Sequence, residues 1–183
     1  DTELEIIIVC NGCTDKTAHI ASSYGPKVKC IETQIASKTN ALNIGDNIAK
    51  GFPRIYQDAD VVLPIKSIHQ IVKQLSGGQY LAAAPKMSLH LDEVSWFVRS
   101  YYEIWTNLPY VKKGFIGTGV FALSKEGRER FDKFPEIISD DGFIKALFNN
   151  NERISIENCY SIVRAPKNLN GLILNATNIK GYI

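Results

Sequence analysis

Strand and helix signals alternate from the first residues onward, and this alternation limits the fold of the 183-residue chain more than any other feature. Glu5 to Cys10 is a short, β-branched apolar run, the pattern of a buried strand. Thr14 or Asp15 can cap a helix reaching about Tyr24, where Gly25-Pro26 stops it. Lys27 to Ile31 reads as a second strand. Lys38 to Lys50 reads as a helix with Ala41, Ile44, Gly45 and Ile48 on one face. Arg54 to Gln57 is a third strand, ending in Asp58-Ala59-Asp60. Ile68, Ile71, Val72 and Leu75 follow at i, i+3, i+4 and i+7, the cleanest helical period in the chain.

Beyond Tyr80 to Ala84, again strand-like, the pattern loosens. Asp92 to Asn107 predicts a helix rich in aromatic residues, and a glycine-rich piece, Gly114 to Gly119, precedes the strand Val120 to Leu123. Glu126 to Phe131 and Asp141 to Phe148 predict helices, and Ile154 to Glu157 and Ser161 to Val163 predict two strands. Such alternation implies an α/β fold, a mostly parallel sheet with helices on both faces, in one domain. In such sheets ligands bind beyond the carboxyl ends of the strands, which directs attention to Cys10-Asp15 and Gln57-Asp60.

Composition removes several function classes. A formal net charge of +2, with no block of like charge, gives no electrostatic case for a nucleic-acid partner. The run Ile6 to Cys10 is far too short to span a bilayer. Asp1-Thr2-Glu3 opens acidic and does not look like a secretory leader, so the expected location is cytoplasmic. Asn175-Ala176-Thr177 matches a glycosylation acceptor pattern that a cytoplasmic chain would not use. Cys10 and Cys13 form a C-x-x-C, but Cys30 and Cys159 stand apart, so no four-ligand zinc set exists. Buried or turn cysteines are the expectation.

Four segments can carry chemistry, and each also has a plain structural reading. Asp58 and Asp60, two apart on an extended segment, would share a face and suit Mg²⁺ or Mn²⁺; on their own, two such aspartates more often just cap or solvate a loop. Asn11-Gly12-Cys13-Thr14-Asp15-Lys16-Thr17 presents a helix start to a ligand, or is simply a capped helix. Lys38 opens a helix against the macrodipole, which an anion would offset, or is a solvated surface lysine. Asp140 and Asp141 begin a helix after Ser139, as capping residues or as a general base.

Taken in order, these pieces resemble family 2 of the inverting glycosyltransferases, which have the Rossmann-like GT-A fold with a small antiparallel acceptor-side part. Asn11 to Thr17 is similar to the family's D-G-S-T-D-x-T stretch, and Lys38 to Gly45 to its G-K-x-x-A-L-N-x-G helix start. Asp58-Ala59-Asp60 resembles its D-x-D, Gly117 to Leu123 its glycine-rich acceptor-side strand, and Asp140-Asp141 its E-D pair. The resemblance implies a nucleotide-binding part over about residues 1–85 and an acceptor part over about 86–183. It implies Asp60 as a metal ligand, and Asp58 on the ribose or on the metal through water. Asn11 would meet the nucleotide base, with Asp15 shaping that loop and Lys38 facing the diphosphate. Asp141 would be the catalytic base, with Asp140 as its partner or substitute.

Two departures from the family pattern stand out. The chain opens at what resembles the family's second strand, without the P-x-Y-N-E-like turn, and the segment after Asn168 to Ile173 lacks the usual basic residues. A divergent branch and residues lying outside this sequence explain them equally. The partners implied are a nucleotide-sugar donor, most often a UDP-sugar, and a glycan, lipid-linked or small-molecule acceptor. A lipid-linked acceptor would leave room for peripheral association with the inner face of a membrane. A sugar nucleotidyltransferase and a non-catalytic sugar-nucleotide or glycan-binding domain are the alternatives. The aromatic residues Trp96, Tyr101, Tyr102 and Trp105 are candidates for stacking on a sugar or for helix core.

Overall fold

The computed structural model describes residues 4–112, 114–115, 117–137 and 139–173. Asp1-Thr2-Glu3 and Asn175-Ala176-Thr177 lie outside the described residues. In chain order the elements are β1 (Ile6–Asn11), α1 (Thr17–Ser22), β2 (Val28–Thr33), α2 (Lys38–Ile48), β3 (Arg54–Gln57), β4 (Val61–Val62) and α3 (Ile65–Ser76). There follow β5 (Ala82–His90), α4 (Trp96–Trp105), α5 (Pro109–Lys112), β6 (Val120–Leu123), α6 (Lys125–Arg128), α7 (Asp140–Leu147) and β7 (Arg153–Arg164). They fall into two compact units, one reaching to Phe52 and taking in Phe131–Ile137, the other holding Pro53–Arg130 and the described residues from Ser139 on. No helix among the described residues is long and apolar enough to cross a membrane.

The first unit is built on a parallel pair, β1 with β2, in register from Ile6↔Val28 to Asn11↔Thr33. A parallel pair needs a crossover, and α1 supplies it. Ala18 and Ala21 of α1 are buried with Cys10, against Ile8 and Cys30. Cys10 and Cys30 bring their Sγ atoms to 3.9 Å and remain free thiols. Burial, aided by the neighbouring Cys30 thiol, pushes the Cys10 thiol up to about 11, so it stays protonated at neutral pH. Cys13 is exposed. The C-x-x-C thus divides between core and surface, as turn and core cysteines do.

Helix α2 packs on β1 with Gly45 facing Val9: a Cβ on Gly45 would make an ordinary contact, 3.5 Å from Val9 Cγ2. Ser37 caps the helix by accepting from Asn40 N. Asn43 pins a distant segment to this unit. Its Nδ2 donates to the Phe134 carbonyl at 3.0 Å, and its Oδ1 accepts from Phe134 N at 2.8 Å. Asn43→Ala is therefore expected to leave two buried backbone groups unpaired and cost about 2 kcal/mol. Urea unfolding checks it; a change below about 0.5 kcal/mol would show that the paired bonds contribute nothing.

The second unit holds a five-stranded sheet in the order β3-β6-β5-β7-β4. Here the mostly parallel expectation is corrected: β5 and β7 run parallel, whereas β3–β6, β5–β6 and β4–β7 are antiparallel. The reason is topological. The connection from β5 through α4 and α5 leaves and re-enters the sheet at the same end, so β6 must run back along β5. The α/β class with helix-flanked sheets holds, and an antiparallel part is present.

Ala82, Ala83 and Ala84 of β5 are fully buried, with β6 on one side and β7 on the other. Ile71 and Leu75, the predicted stripe of α3, enter the same core beside Val61, Val120, Ile156 and Cys159. Burying each of these two side chains contributes about 1.5–3 kcal/mol. The two strands expected near the end are one strand. Its register slips opposite Pro85, from Pro85↔Ile156 to Lys86↔Tyr160, and Asn158 in the slip has φ +59°. Proline has no N–H to give the ladder, so a bulge is tolerated there.

Candidate functional site

Candidate residues of the second unit meet at one glycine-rich turn, Gly117-Thr118-Gly119. Gly117 and Gly119 have φ +76° and +61°, the left-handed region that side chains seldom adopt. Three contacts hold the turn. Asp58 N donates to the Gly119 carbonyl at 2.8 Å, Ser161 Oγ donates to the Thr118 carbonyl at 2.7 Å, and Gly117 N donates to Asp141 Oδ2 at 2.9 Å. The Asp58 backbone and the Asp141 carboxylate, far apart in the chain, therefore share one turn. Ser161, fully buried on β7, had no sequence signal; a serine in a strand pattern is common, and only the pairing of β7 brings it here.

Asp58-Ala59-Asp60 is not extended, and this corrects the premise that placed both carboxylates on one face of a strand. Val61 N donates back to the Asp58 carbonyl at 3.2 Å, closing a turn. The missing Cβ of Gly119 makes the room: one placed there would lie 2.4 Å from Val61 Cγ2 and 3.5 Å from Asp58 Oδ2. Asp58 is half-buried and Asp60 exposed. Asp60 also lies within electrostatic reach of α4. Burial chiefly, then the charges of Tyr101 and Asp60, raise the Tyr102 phenol above its ordinary value.

Asp141 sits at the start of α7, where Ser139 is the cap. Its Oδ1 accepts from Ser139 Oγ at 2.6 Å and from Gly142 N at 2.7 Å. With Gly117 N on Oδ2, three of the carboxylate's four lone-pair positions are occupied among the described residues, which leaves Oδ2 one to offer a substrate proton. Asp140 is only 5% exposed, whereas Asp141 is half-buried. The geometry separates the pair: Asp141 reaches the turn, and Asp140 packs inward.

The aromatic helix divides similarly. Trp105 lies against Gly117, whose absent Cβ would be 2.4 Å from Trp105 Cη2, and packs edge-on to Tyr102 at 5.9 Å. Trp96 and Phe97 are 70% and 61% exposed and pair with each other. Of these residues Trp105 packs on the turn, and Tyr102 packs on Trp105.

The first unit carries the remaining candidates at the carboxyl end of its parallel pair. Asn11 ends β1 opposite Thr33, the last residue of β2. Gly12, at φ +64°, donates its N–H to the Thr33 carbonyl, and a Cβ on it would lie 2.7 Å from that of Ala36. That close approach brings the loop after β1 against the segment leading into Lys38, the first residue of α2. Asp15 is exposed and accepts from Thr17 N at 2.9 Å; hydrogen bonds from the Thr17 side chain and backbone hold its carboxyl below the ordinary range. These bonds close a local turn before α1, whose N-cap is Lys16 and not the expected Thr14 or Asp15.

A family model described as Glycosyl transferase family 2 matches residues 1–127. The chain belongs to that family. It is a glycosyltransferase, and its α/β sheets flanked by helices agree with a GT-A fold. Membership brings a nucleotide-sugar donor and an acceptor as its substrates. The match covers β1 through β6 and ends within α6, and so takes in the transferase's Asn11, Lys38 and Asp58–Asp60 segments but stops before Asp141. Comparison with curated proteins finds no match.

Proposed function

We propose that the transferase moves a sugar from a nucleoside-diphosphate sugar, a UDP-sugar first among candidates, to an acceptor hydroxyl by a single inverting displacement. The observation that carries this reading is the shared turn: Asp58 and Asp141 are both hydrogen-bonded to Gly117–Gly119. A displacement of this kind needs one base on the acceptor side, and Asp141 Oδ2 has the open position for it. Asp140 supports α7 from within. Asn11 takes the nucleotide base, Asp15 holds its loop, and Lys38 faces the diphosphate.

The residues fit a divalent metal, Mn²⁺ or Mg²⁺. Asp58 and Asp60 offer hard oxygen donors at a turn packed on Gly119, and no group of three or more ligating side chains exists among the described residues. Two carboxylates leave most of the shell to water and phosphate, as Mg²⁺ and Mn²⁺ prefer. A bound ion would supply the positive charge that offsets charge developing on the diphosphate. Asp60 is the exposed ligand, and Asp58, set by its backbone bond to Gly119, is the ribose contact or the second carboxylate. The acceptor hydroxyl belongs to a glycan, a lipid-linked sugar or a small molecule; Trp105 and Tyr102 offer it an aromatic wall. The work is placed in the cytoplasm, with peripheral contact at a membrane if the acceptor is lipid-linked.

Calorimetric titration with UDP, GDP and dTDP, with and without Mn²⁺, tests the reading on the wild type and on Asp60→Ala. One nucleotide should bind, and Asp60→Ala should weaken its Mn²⁺-dependent affinity at least roughly tenfold, about 1.4 kcal/mol. Affinity indifferent to both Mn²⁺ and the substitution overturns the role given to Asp58–Asp60.

A further inference from the structure

One helical turn beyond Asp141, on the same face of α7, Lys145 opens onto a cavity that the proposed transfer chemistry does not use. The cavity measures about 550 Å³ and is lined by Phe115, Lys145, Asn150, Arg153 and Ser155. Among the described lining residues two are cations and none is a carboxylate.

The cations are held in place. Lys145 Nζ donates to the Gly114 carbonyl at 3.2 Å. Arg153 lies over the Phe115 ring, 5.6 Å from its centroid, and donates to Asn150 Oδ1 at 2.7 Å. Phe115 is 1% exposed and has φ +74°, a conformation costly for a bulky side chain. Gly114 approaches Ser155 so closely that a Cβ would lie 2.4 Å from its Oγ. Two donors are nevertheless left over: Ser155 Oγ and Arg153 Nε are buried and find no hydrogen-bond partner among the described residues. Both belong to residues that line the cavity, and buried polar groups in native proteins are nearly always paired.

We propose that this cavity binds an anionic group of the acceptor, a phosphate or a carboxylate, and selects charged acceptors over neutral ones. Its assignment to the acceptor rests on the reading of Asp141 as the base. Side chains at i and i+4 on a helix stand about 5–6 Å apart, so an anion held at Lys145 leaves the attacking hydroxyl near Asp141. Guanidinium and hydroxyl donors suit the oxygens of either anion.

The experiment titrates the full chain with inorganic phosphate and with glucuronate at low salt, following backbone amides by NMR, and repeats the nucleotide titration alongside. The variants are Arg153→Gln and Asn150→Asp. Asn150 is exposed, and the aspartate keeps its shape while placing a carboxylate on Arg153, so the guanidinium is neutralised without emptying the cavity. One or both anions should bind the wild type, shift the amides of Phe115 and Ser155, and bind at least tenfold more weakly to both variants. Nucleotide affinity should not change. Tighter phosphate binding assigns a phosphorylated acceptor, and tighter glucuronate binding a uronic-acid acceptor. If neither anion binds the wild type, or binding persists undiminished in folded Asn150→Asp, the proposal is overturned. If an anion binds as expected but no nucleotide does, the cavity assignment survives and the donor reading is the one that fails.

Discussion

Asp141→Asn is expected to lower the turnover of sugar transfer by roughly 10²–10⁴-fold, the usual weight of a positioned general base. The same change should leave nucleotide affinity within about twofold, because the base acts only on the acceptor proton. Structure allows the substitution. The asparagine oxygen can still accept from Gly117 N, while its amide group faces Ser139 Oγ, which can accept as well as donate. Gly142 N loses one acceptor but keeps Ser139 Oγ at 3.1 Å, so the cost in stability should be near 1 kcal/mol. Asp140→Asn is the informative partner. Asp140 is buried, so that change should lower stability more than turnover. A transferase that keeps its rate in Asp141→Asn and loses it in Asp140→Asn would reverse the two roles.

How much of this was legible in the sequence varies along the chain in a physically sensible way. Regular elements with strong periodicity were readable: Ile71 and Leu75 are buried where the i, i+4 spacing put them, and β1, β2 and α2 lie within a residue or two of their expected limits. Those elements depend on local pattern, which a sequence displays directly. Strand pairing was not readable, because direction and neighbour are decided by contacts far apart in the chain. Hence β6 antiparallel to β5, the two-residue β4 and the unbroken β7 emerged only from the fold.

The site divides along the same line. Asp58, Asp60 and Asp141 stood out as residue types in a known order, but their relation did not, since Gly117–Gly119 joins them through backbone groups that every residue possesses. The turn at Ala59-Asp60 likewise overrode the period-2 argument, because Asp58 is tied at its N–H to Gly119 and at its carbonyl to Val61. Asn43 is the reverse case. Its place in a motif-like helix start drew attention to the helix, whereas its side chain serves a backbone segment ninety-one residues away.

Gly119→Ala should be strongly damaging, and the reasons are additive. An alanine at φ +61° carries the left-handed penalty, and its Cβ would meet Val61 Cγ2 at 2.4 Å. Val61 is 6% exposed and belongs to the main core, so it has little space in which to yield. Backbone strain and overpacking together should cost roughly 2–4 kcal/mol, a fall in Tm of about 5–15 °C for a chain of this size. The loss should extend to function. Relief of the clash requires Gly119 and Val61 to separate, and Asp58 is bonded to both through its backbone. Mn²⁺-dependent nucleotide affinity should then weaken even at temperatures where the variant is fully folded. Gly51→Ala provides the comparison: a Cβ there meets nothing within 4 Å, and the expected change is within about 0.5 kcal/mol. If Gly119→Ala melts like Gly51→Ala, the turn yields easily and does not fix the carboxylates. If it melts low yet binds nucleotide normally once folded, Gly119 supports the core alone, and the metal-side geometry is set by Asp58 and Asp60 without it.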